Sequence, residues 1–579
     1  MSDNCLECHR DIFDCGCNEP TLVSYTLSNE PDKVEAPVIP PKIQLLKYME
    51  ILNKKIVISQ NDNTQVYACI AEKNYVLNFE MHSRRYQEFI KIRFYKSEKV
   101  LFADDVYKSA CDTAASLAVF NENTQRVQTH VRIAQLEDSI YYDLATPDRK
   151  AIKMTKEKVE MTHLSLNDPV FVNSARTAPQ VMPELMITGQ GIPELMNLIR
   201  IIPEQQELFK VHLVCLMLES APVPSMSFVD EMGQGKTTLS GTIKIIIDPQ
   251  SDVIVDNVSK LPKNGVDRIV SFSQKYLHVF DNLSHITPEE SDDICRAVTG
   301  SSNEKRKLFS DEDLIVATYK RKFVLNGIGL SVDRGDFIQR TVQYKLTPLT
   351  PETMMSNKQY NEKIQKIRPF VLADIFNLMS RSMKMYENVK EELQGKLPRM
   401  SDFAIWGECI SRCIGNKPGE FLKSYNETMA DSTNEAAENH GIVAYILERM
   451  RGVDSLTEDL TTFYAKASQW AEKNHFDTKG KFSTFPKASN KLRPTFQRVN
   501  PYLKNYGYVA TITDRDYSTT SKRSVKIDLI KSHKQRTLSG GQGTGSSGLS
   551  APIPNTPNTI GNLRGHNDTD KVKDRGENQ

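Results

Sequence analysis

Ser227-Phe228-Val229-Asp230-Glu231-Met232-Gly233-Gln234-Gly235-Lys236-Thr237-Thr238-Leu239 decides how this chain is read. A short apolar run gives way to a glycine-rich turn, then to Lys-Thr and the start of a helix. In such a turn the main-chain amides and the helix N-terminus point toward an anion, and Gly233 and Gly235 let the backbone approach it closely. The spacing predicts a polyphosphate site contacted by Gly233, Gln234, Gly235, Lys236, Thr237 and Thr238. Lys236 would reach the β and γ phosphates of ATP, and Thr237 would hold Mg²⁺. Asp230 stands where the G-x-x-x-x-G-K-[ST] pattern has its first glycine, so its carboxylate either opposes phosphate or points outward.

Downstream, Tyr276-Leu277-His278-Val279-Phe280-Asp281 is an apolar run ending in a carboxylate, the pattern in which a strand-tip aspartate holds the Mg²⁺ shell. A buried strand closed by a turn Asp is the plainer alternative; the glycine-rich loop beside it favours the Mg²⁺ role for Asp281. Asn282 follows, where many ATPases carry the acid that activates water. An amide orients water but is a poor base, so hydrolysis is expected to be slow or to use another carboxylate. Lys322-Phe323-Val324-Leu325-Asn326-Gly327 puts Asn326 at the tip of a neighbouring strand, within reach of a γ-phosphate or its attacking water. Arg334 and Arg340 stand six residues apart, and Arg340 is the preferred finger for an adjacent subunit's site; a surface salt bridge is the alternative for each. The expected catalytic set is Lys236, Asp281, Asn282, Asn326 and Arg340.

Around this core, 579 residues with 39% hydrophobic and 25% charged content give a soluble globular composition with room for several cores. A net charge of +1 means that any basic surface is local. No apolar run is long enough to span a bilayer and residues 1–19 lack a signal-peptide core, so the chain reads as cytoplasmic, with no membrane partner. The expected layout is a cysteine-rich segment at 1–20, a linker at 21–42, an α/β domain of unassigned role at 43–165 and a second linker at 166–200. The ATPase core follows at 201–350, a helical lid at 351–454, a further compact unit at 455–536 and a disordered Gly/Ser/Asn/Pro tail at 537–579.

Several motifs together resemble AAA+ ATPases, in particular the superfamily 3 helicase-like ATP-binding proteins of phages, plasmids and integrative elements. They are Gly233-Gln234-Gly235-Lys236-Thr237, Phe280-Asp281-Asn282-Leu283-Ser284, Arg306-Lys307-Leu308-Phe309-Ser310-Asp311, Leu325-Asn326-Gly327-Ile328 and the segment from Arg334 to Arg340. Tyr141-Tyr142-Asp143-Leu144 and the stretch from Arg399 to Glu408 extend the likeness to either side. In that group Phe-Asp-Asn is usual, whereas Asp230 departs from the pattern. The resemblance implies a multidomain α/β chain with an AAA+-like P-loop core, working as a homo-oligomeric ring, a hexamer being one form, with shared sites. It further implies action beside a primase or origin-binding protein.

Two basic segments are candidates for DNA. Residues 305–319 read as a β-hairpin; in the resembled helicases a hairpin here enters the ring's pore and meets single-stranded DNA, which would fall to Lys305, Arg306 and Lys307. The acidic turn Asp311-Glu312-Asp313 argues against contact at the tip. From 481 to 536 there are 13 Lys or Arg against 3 acidic residues. A helix over 489–506 followed by strand, turn and strand is a winged-helix pattern, with Lys491, Arg493, Arg498 and Lys504 along the helix and Lys522 and Arg523 on the wing. Pro494 and Pro501 predict a split helix, and a wing serving only protein contacts is the alternative. Finally, Cys5, Cys8, Cys15 and Cys17 crowd four of the ten cysteines into a segment able to wrap one Zn²⁺ as a knuckle, against unliganded thiols. The leading expectation is a DNA-dependent ATP hydrolase, helicase-like or initiation-related, of a mobile element. Its rivals are a DNA-tethered switch that binds ATP and scarcely turns it over, and a small-molecule kinase, disfavoured for want of an acceptor lid.

Overall fold

A computed structural model describes residues 40–62, 65–174, 176–229, 235–300, 303–306, 314–317, 319–331, 335–480, 483–513 and 523–530. Its centre is a four-stranded sheet of β1 (Ser225–Val229), β2 (Leu277–His285), β3 (Lys322–Ser331) and β4 (Thr341–Tyr344), in the spatial order β2-β3-β1-β4. Every neighbouring pair is parallel. A parallel sheet must be covered on both faces, so its strands are almost continuously apolar: Met226, Phe228, Val279, Phe280, Phe323, Val324, Leu325 and Val342 are all buried. β3 thus separates the strand that leads into the glycine-rich turn from the strand that carries Asp281.

The crossovers are helical. α1 (Lys236–Ile247) and α2 (Gly265–Gln274) join β1 to β2, and α3 (Pro288–Thr299) joins β2 to β3. α1 runs through the core with Leu239, Ile243, Ile245, Ile246 and Ile247 buried. Its one deeply buried cation, Lys244, donates to the Asp248 carboxylate at 2.6 Å and to the Leu277 carbonyl at 2.7 Å. Asp248 also receives Arg132 Nε and the amides of Tyr276 and Leu277, each at 3.1 Å. Burial still pushes the Lys244 ammonium down to about 8, against the opposing pull of Asp248. α3 opens with a capping box between Thr287 and Glu290 and closes on Gly300 at φ 85°.

N-terminal to this lies a four-stranded sheet in the order Val76–Glu80, Val66–Ala71, Lys55–Ser59, Gln125–Val127, with helices Pro41–Leu52, Arg84–Glu98 and Asp104–Phe120. It has its own core, including Leu45, Ile58, Ile70, Tyr86 and Phe94. An antiparallel meander follows (Ile133–Gln135, Ser139–Asp143, Lys150–Thr155, Val159–His163), and its Ile140, Tyr142, Ile152 and Met154 join the main core. Residues 166–200, expected as a linker, carry the helix Gly191–Leu198. The Asp374 carboxylate accepts its N-terminal amides, from Gly189 and, at 2.8 Å, from Ile192, while Ile192, Leu195 and Met196 are buried. Beyond β4 the chain is helical: Asn357–Glu392, Ser401–Ile414 and Glu420–Glu438. No helix among the described residues is long and apolar enough to cross a membrane.

A second compact unit comprises residues 445–470 together with the chain from 488 onward. Its antiparallel sheet has the order Ser455–Asp459, Ser524–Leu529, Tyr508–Ile512. The helix Leu492–Asn505 buries Leu492, Phe496, Val499 and Leu503, and Phe463 meets Phe496 edge-on at 6.1 Å. This helix is continuous, contrary to the split expected from its prolines. Pro494 falls in the first turn, where its missing N–H has no partner to lose. Pro501 is exposed, so the carbonyl four residues back, at exposed Gln497, is left to solvent.

Candidate functional site

Level with the C-terminal end of β1, and midway along β2 and β3 rather than at the strand tips expected for Asp281 and Asn326, three side chains meet. Thr237, in the first turn of α1, donates its hydroxyl to the Asp281 carboxylate at 3.0 and 3.2 Å. Asn326 Nδ2 donates to the same carboxylate and lies 3.4 Å from Thr237 Oγ1. Lys236, the first residue of α1, is 8% exposed, and Thr238 follows on the same turn. Gly235 caps the helix at φ +77°, a left-handed conformation that favours glycine. Gly233, Gln234 and Asp230 lie outside the described residues.

Local backbone devices aim these groups. The β2–β3 register slips between Phe280 and Leu283, a bulge that turns the strand. Asn282, at the slip, takes φ +59°, which asparagine tolerates better than most residues. Its amide donates to Asp281 Oδ1 at 2.9 Å, while the Asp281 amide is held by the Ser259 carbonyl at 3.0 Å. The Asn282 side chain is exposed and points no group at the cluster within hydrogen-bond range. Gly327, next to Asn326, lets the bulged strand come close: a Cβ there would stand 1.9 Å from the Leu283 carbonyl oxygen.

Arg340 belongs to a different cluster. Its guanidinium donates to Asp336, which also receives Arg399, and Arg399 donates again to Gln339. Burial works against the Asp336 charge, yet the two arginines hold its carboxyl below the usual range. Arg340 is only 16% exposed, and among the described residues it makes no hydrogen bond to Thr237, Asp281 or Asn326. Arg334 lies outside the described residues.

Of the DNA candidates, the strands Asn303–Arg306 and Leu314–Ala317 form an antiparallel hairpin that contains the positions of Lys305 and Arg306; Lys307 and the acidic turn lie outside the described residues. In the second unit Lys491, Arg493, Arg498 and Lys504 are exposed. At about 100° per residue, Arg493 and Lys504 line one margin of the exposed helix face and Lys491 and Arg498 the other, with Gln497 and Pro501 between. Arg523 is exposed at the start of the strand Ser524–Leu529; Lys522 is not among the described residues. Nor are Cys5, Cys8, Cys15 and Cys17. Cys69, Cys111, Cys215, Cys295, Cys409 and Cys413 are buried free thiols, and no group of metal-ligating side chains occurs among the described residues.

Residues 192–434 match the model of a family described as an actinomycete integrative conjugative element replication protein. That stretch, which holds all four strands of the central sheet, is therefore similar to a replication protein of a mobile element. Two solved structures, titled "The A form apo structure of NrS-1 C terminal region-CTR" and the same for "CTR(305-718)", are each 11% identical. The first has a TM-score of 0.36 and covers 84% of this chain and 98% of its own; the second has 0.34, 84% and 99%. No curated protein matches.

Proposed function

We propose that this chain is a P-loop ATPase acting on DNA in the replication of a mobile element. The observation that carries the reading is the Thr237–Asp281–Asn326 cluster. A hydroxyl from the first turn of a helix, a carboxylate from one strand and an amide from the next meet within 3.4 Å, beside a buried lysine and a left-handed glycine. Oxygen donors of this kind fit Mg²⁺, a hard cation that prefers carboxylate and hydroxyl oxygen, and Thr237 and Asp281 would hold it. When bound, the ion would neutralise charge on the phosphates. Lys236 and the amides at the N-terminus of α1 would grip the β and γ phosphates. Asn326, kept in place by Asp281, would orient the attacking water.

In the second unit we read the helix Leu492–Asn505 and the strands Tyr508–Ile512 and Ser524–Leu529 as a winged helix. Basic residues on both margins of an exposed helix face suit phosphates on the two sides of a groove, with Gln497 directed between them. A zinc knuckle at Cys5, Cys8, Cys15 and Cys17 completes the proposal, and stoichiometric zinc in the purified chain tests it. The exposed position of Asn282 favours one second reading, a slow ATP-dependent switch, because no acid stands there to activate water. The deciding experiment measures ATP turnover with and without single-stranded DNA in wild type and Lys236→Ala. Stimulation by DNA that the variant abolishes supports the ATPase. Tight ATP binding without turnover favours the switch, and failure to bind ATP removes both.

A further inference from the structure

Arg200 lies in the connection between the helices Gly191–Leu198 and Pro203–Cys215, and no sequence motif marks it. Its backbone is fixed by Thr347, whose amide donates to the Arg200 carbonyl at 2.7 Å, next to the bridge between Ile201 and Leu346. The guanidinium is fixed as well: Nη1 donates to the Thr347 carbonyl at 2.5 Å. Nη2 then reaches the Gly-Lys-Thr turn, where a Cβ built on Gly235 would stand 3.0 Å from it. Arg200 therefore brings its charge to the N-terminus of α1, of which Lys236 is the first residue and where the helix end itself carries partial positive charge. Such an arrangement favours an anion there, and the planar guanidinium fork suits phosphate oxygens.

We propose that Arg200 is a direct ligand of the polyphosphate, a second cation delivered to the Gly235–Thr237 turn from a segment far away in sequence. This rests on the nucleotide reading above and adds a contact to it. The bland alternative is a purely structural arginine that pins Thr347. Arg200→Gln and Arg200→Lys together separate the two, because glutamine is shorter and gives up both the charge and the reach of the guanidinium, whereas lysine keeps the charge.

The test uses the full chain with Mg²⁺ and a fluorescent ATP analogue, displaced by unlabelled ATP, ADP or adenosine, with thermal melts as a control for folding. Arg200→Gln should weaken ATP and ADP by about tenfold, the scale of one charge-assisted hydrogen bond, and leave adenosine unchanged. Arg200→Lys should recover part of the loss. ATP affinity within about twofold of wild type in Arg200→Gln would overturn the assignment while leaving the nucleotide site standing. A wild-type chain that binds neither ATP nor ADP would sink the nucleotide reading and this contact together. A readout on the wild type covers the case of a misfolded variant. ATP should protect Arg200 from dicarbonyl modification, mapped by peptide mass spectrometry, and modification at an equal rate with and without ATP would also overturn the proposal.

Discussion

The central sheet and the exposed helix of the second unit carry their polar residues in opposite ways. Thr237, Asp281 and Asn326 bond to one another, and a bulge, a left-handed asparagine and a close glycine hold them there. Lys491, Arg493, Arg498 and Lys504 lie exposed on the margins of a helix whose other face is buried. The first arrangement makes one geometry and depends on every member. The second presents charge, whose effect on a polyanion is nearly additive and screened by salt. Substitutions should therefore act steeply in one region and gradually in the other.

The steepest expected effect is at Asp281. Asp281→Asn keeps the shape but removes the charge that Thr237, Asn326 and the Asn282 amide all address, so DNA-stimulated ATP turnover should fall by about 100-fold or more. Affinity for DNA without nucleotide should stay within about twofold, since the substitution leaves every basic residue of the second unit's helix in place. A gradual loss at Asp281, or a parallel loss of DNA affinity, would break the contrast between the regions.

Next comes Gly327→Ala. The added methyl would stand 1.9 Å from the Leu283 carbonyl oxygen, which is backbone and cannot swing aside. Forcing β2 and β3 apart should destabilise the chain by about 2–3 kcal/mol, read as a lower denaturation midpoint. An unchanged midpoint would mean that the two strands are looser than the cluster requires.

How far the sequence reaches follows the same division. The apolar run into the Gly-Lys-Thr turn and the strands carrying Asp281 and Asn326 were legible, because each motif is local and each residue type is chosen by its own chemistry; the strand ends were not, since β2 runs on to His285 and β3 to Ser331. Arg200 was not, since its partner Thr347 lies 147 residues away and nothing around it differs from an ordinary connection. Nor was the strand Ser455–Asp459, whose mostly polar Ser-Leu-Thr-Glu-Asp owes its conformation to pairing with Ser524–Leu529. The helix at Gly191–Leu198 was hidden in a stretch rich in proline and glycine, because its N-terminal amides are satisfied by Asp374 from a distant helix. What escaped was set by partners remote in sequence.

A gentler effect belongs to the basic margins. Removing one margin at a time, Arg493→Ala with Lys504→Ala or Lys491→Ala with Arg498→Ala, should weaken binding of duplex DNA uniformly across sequences. Each double change should lower the slope of log affinity against log salt by about 1–2 units, as two phosphate contacts disappear. Gln497→Ala should instead alter preference among sequences with little change in that slope. A salt slope that ignores both margins would assign the helix to protein contacts and remove DNA from this surface.

The smallest effect tests why that helix tolerates two prolines. Pro501 deprives the exposed Gln497 carbonyl of a helical partner, and water replaces it at modest cost; Pro494 deprives nothing, because first-turn amides have no intrahelical acceptor. Pro501→Ala restores one hydrogen bond and should stabilise the second unit by about 1 kcal/mol, whereas Pro494→Ala should change stability by less than about 0.5 kcal/mol. If both substitutions stabilised equally, the continuous helix would rest on tertiary packing that overrides its prolines alike. The basic margins would then owe their spacing to that packing rather than to an unstrained helix.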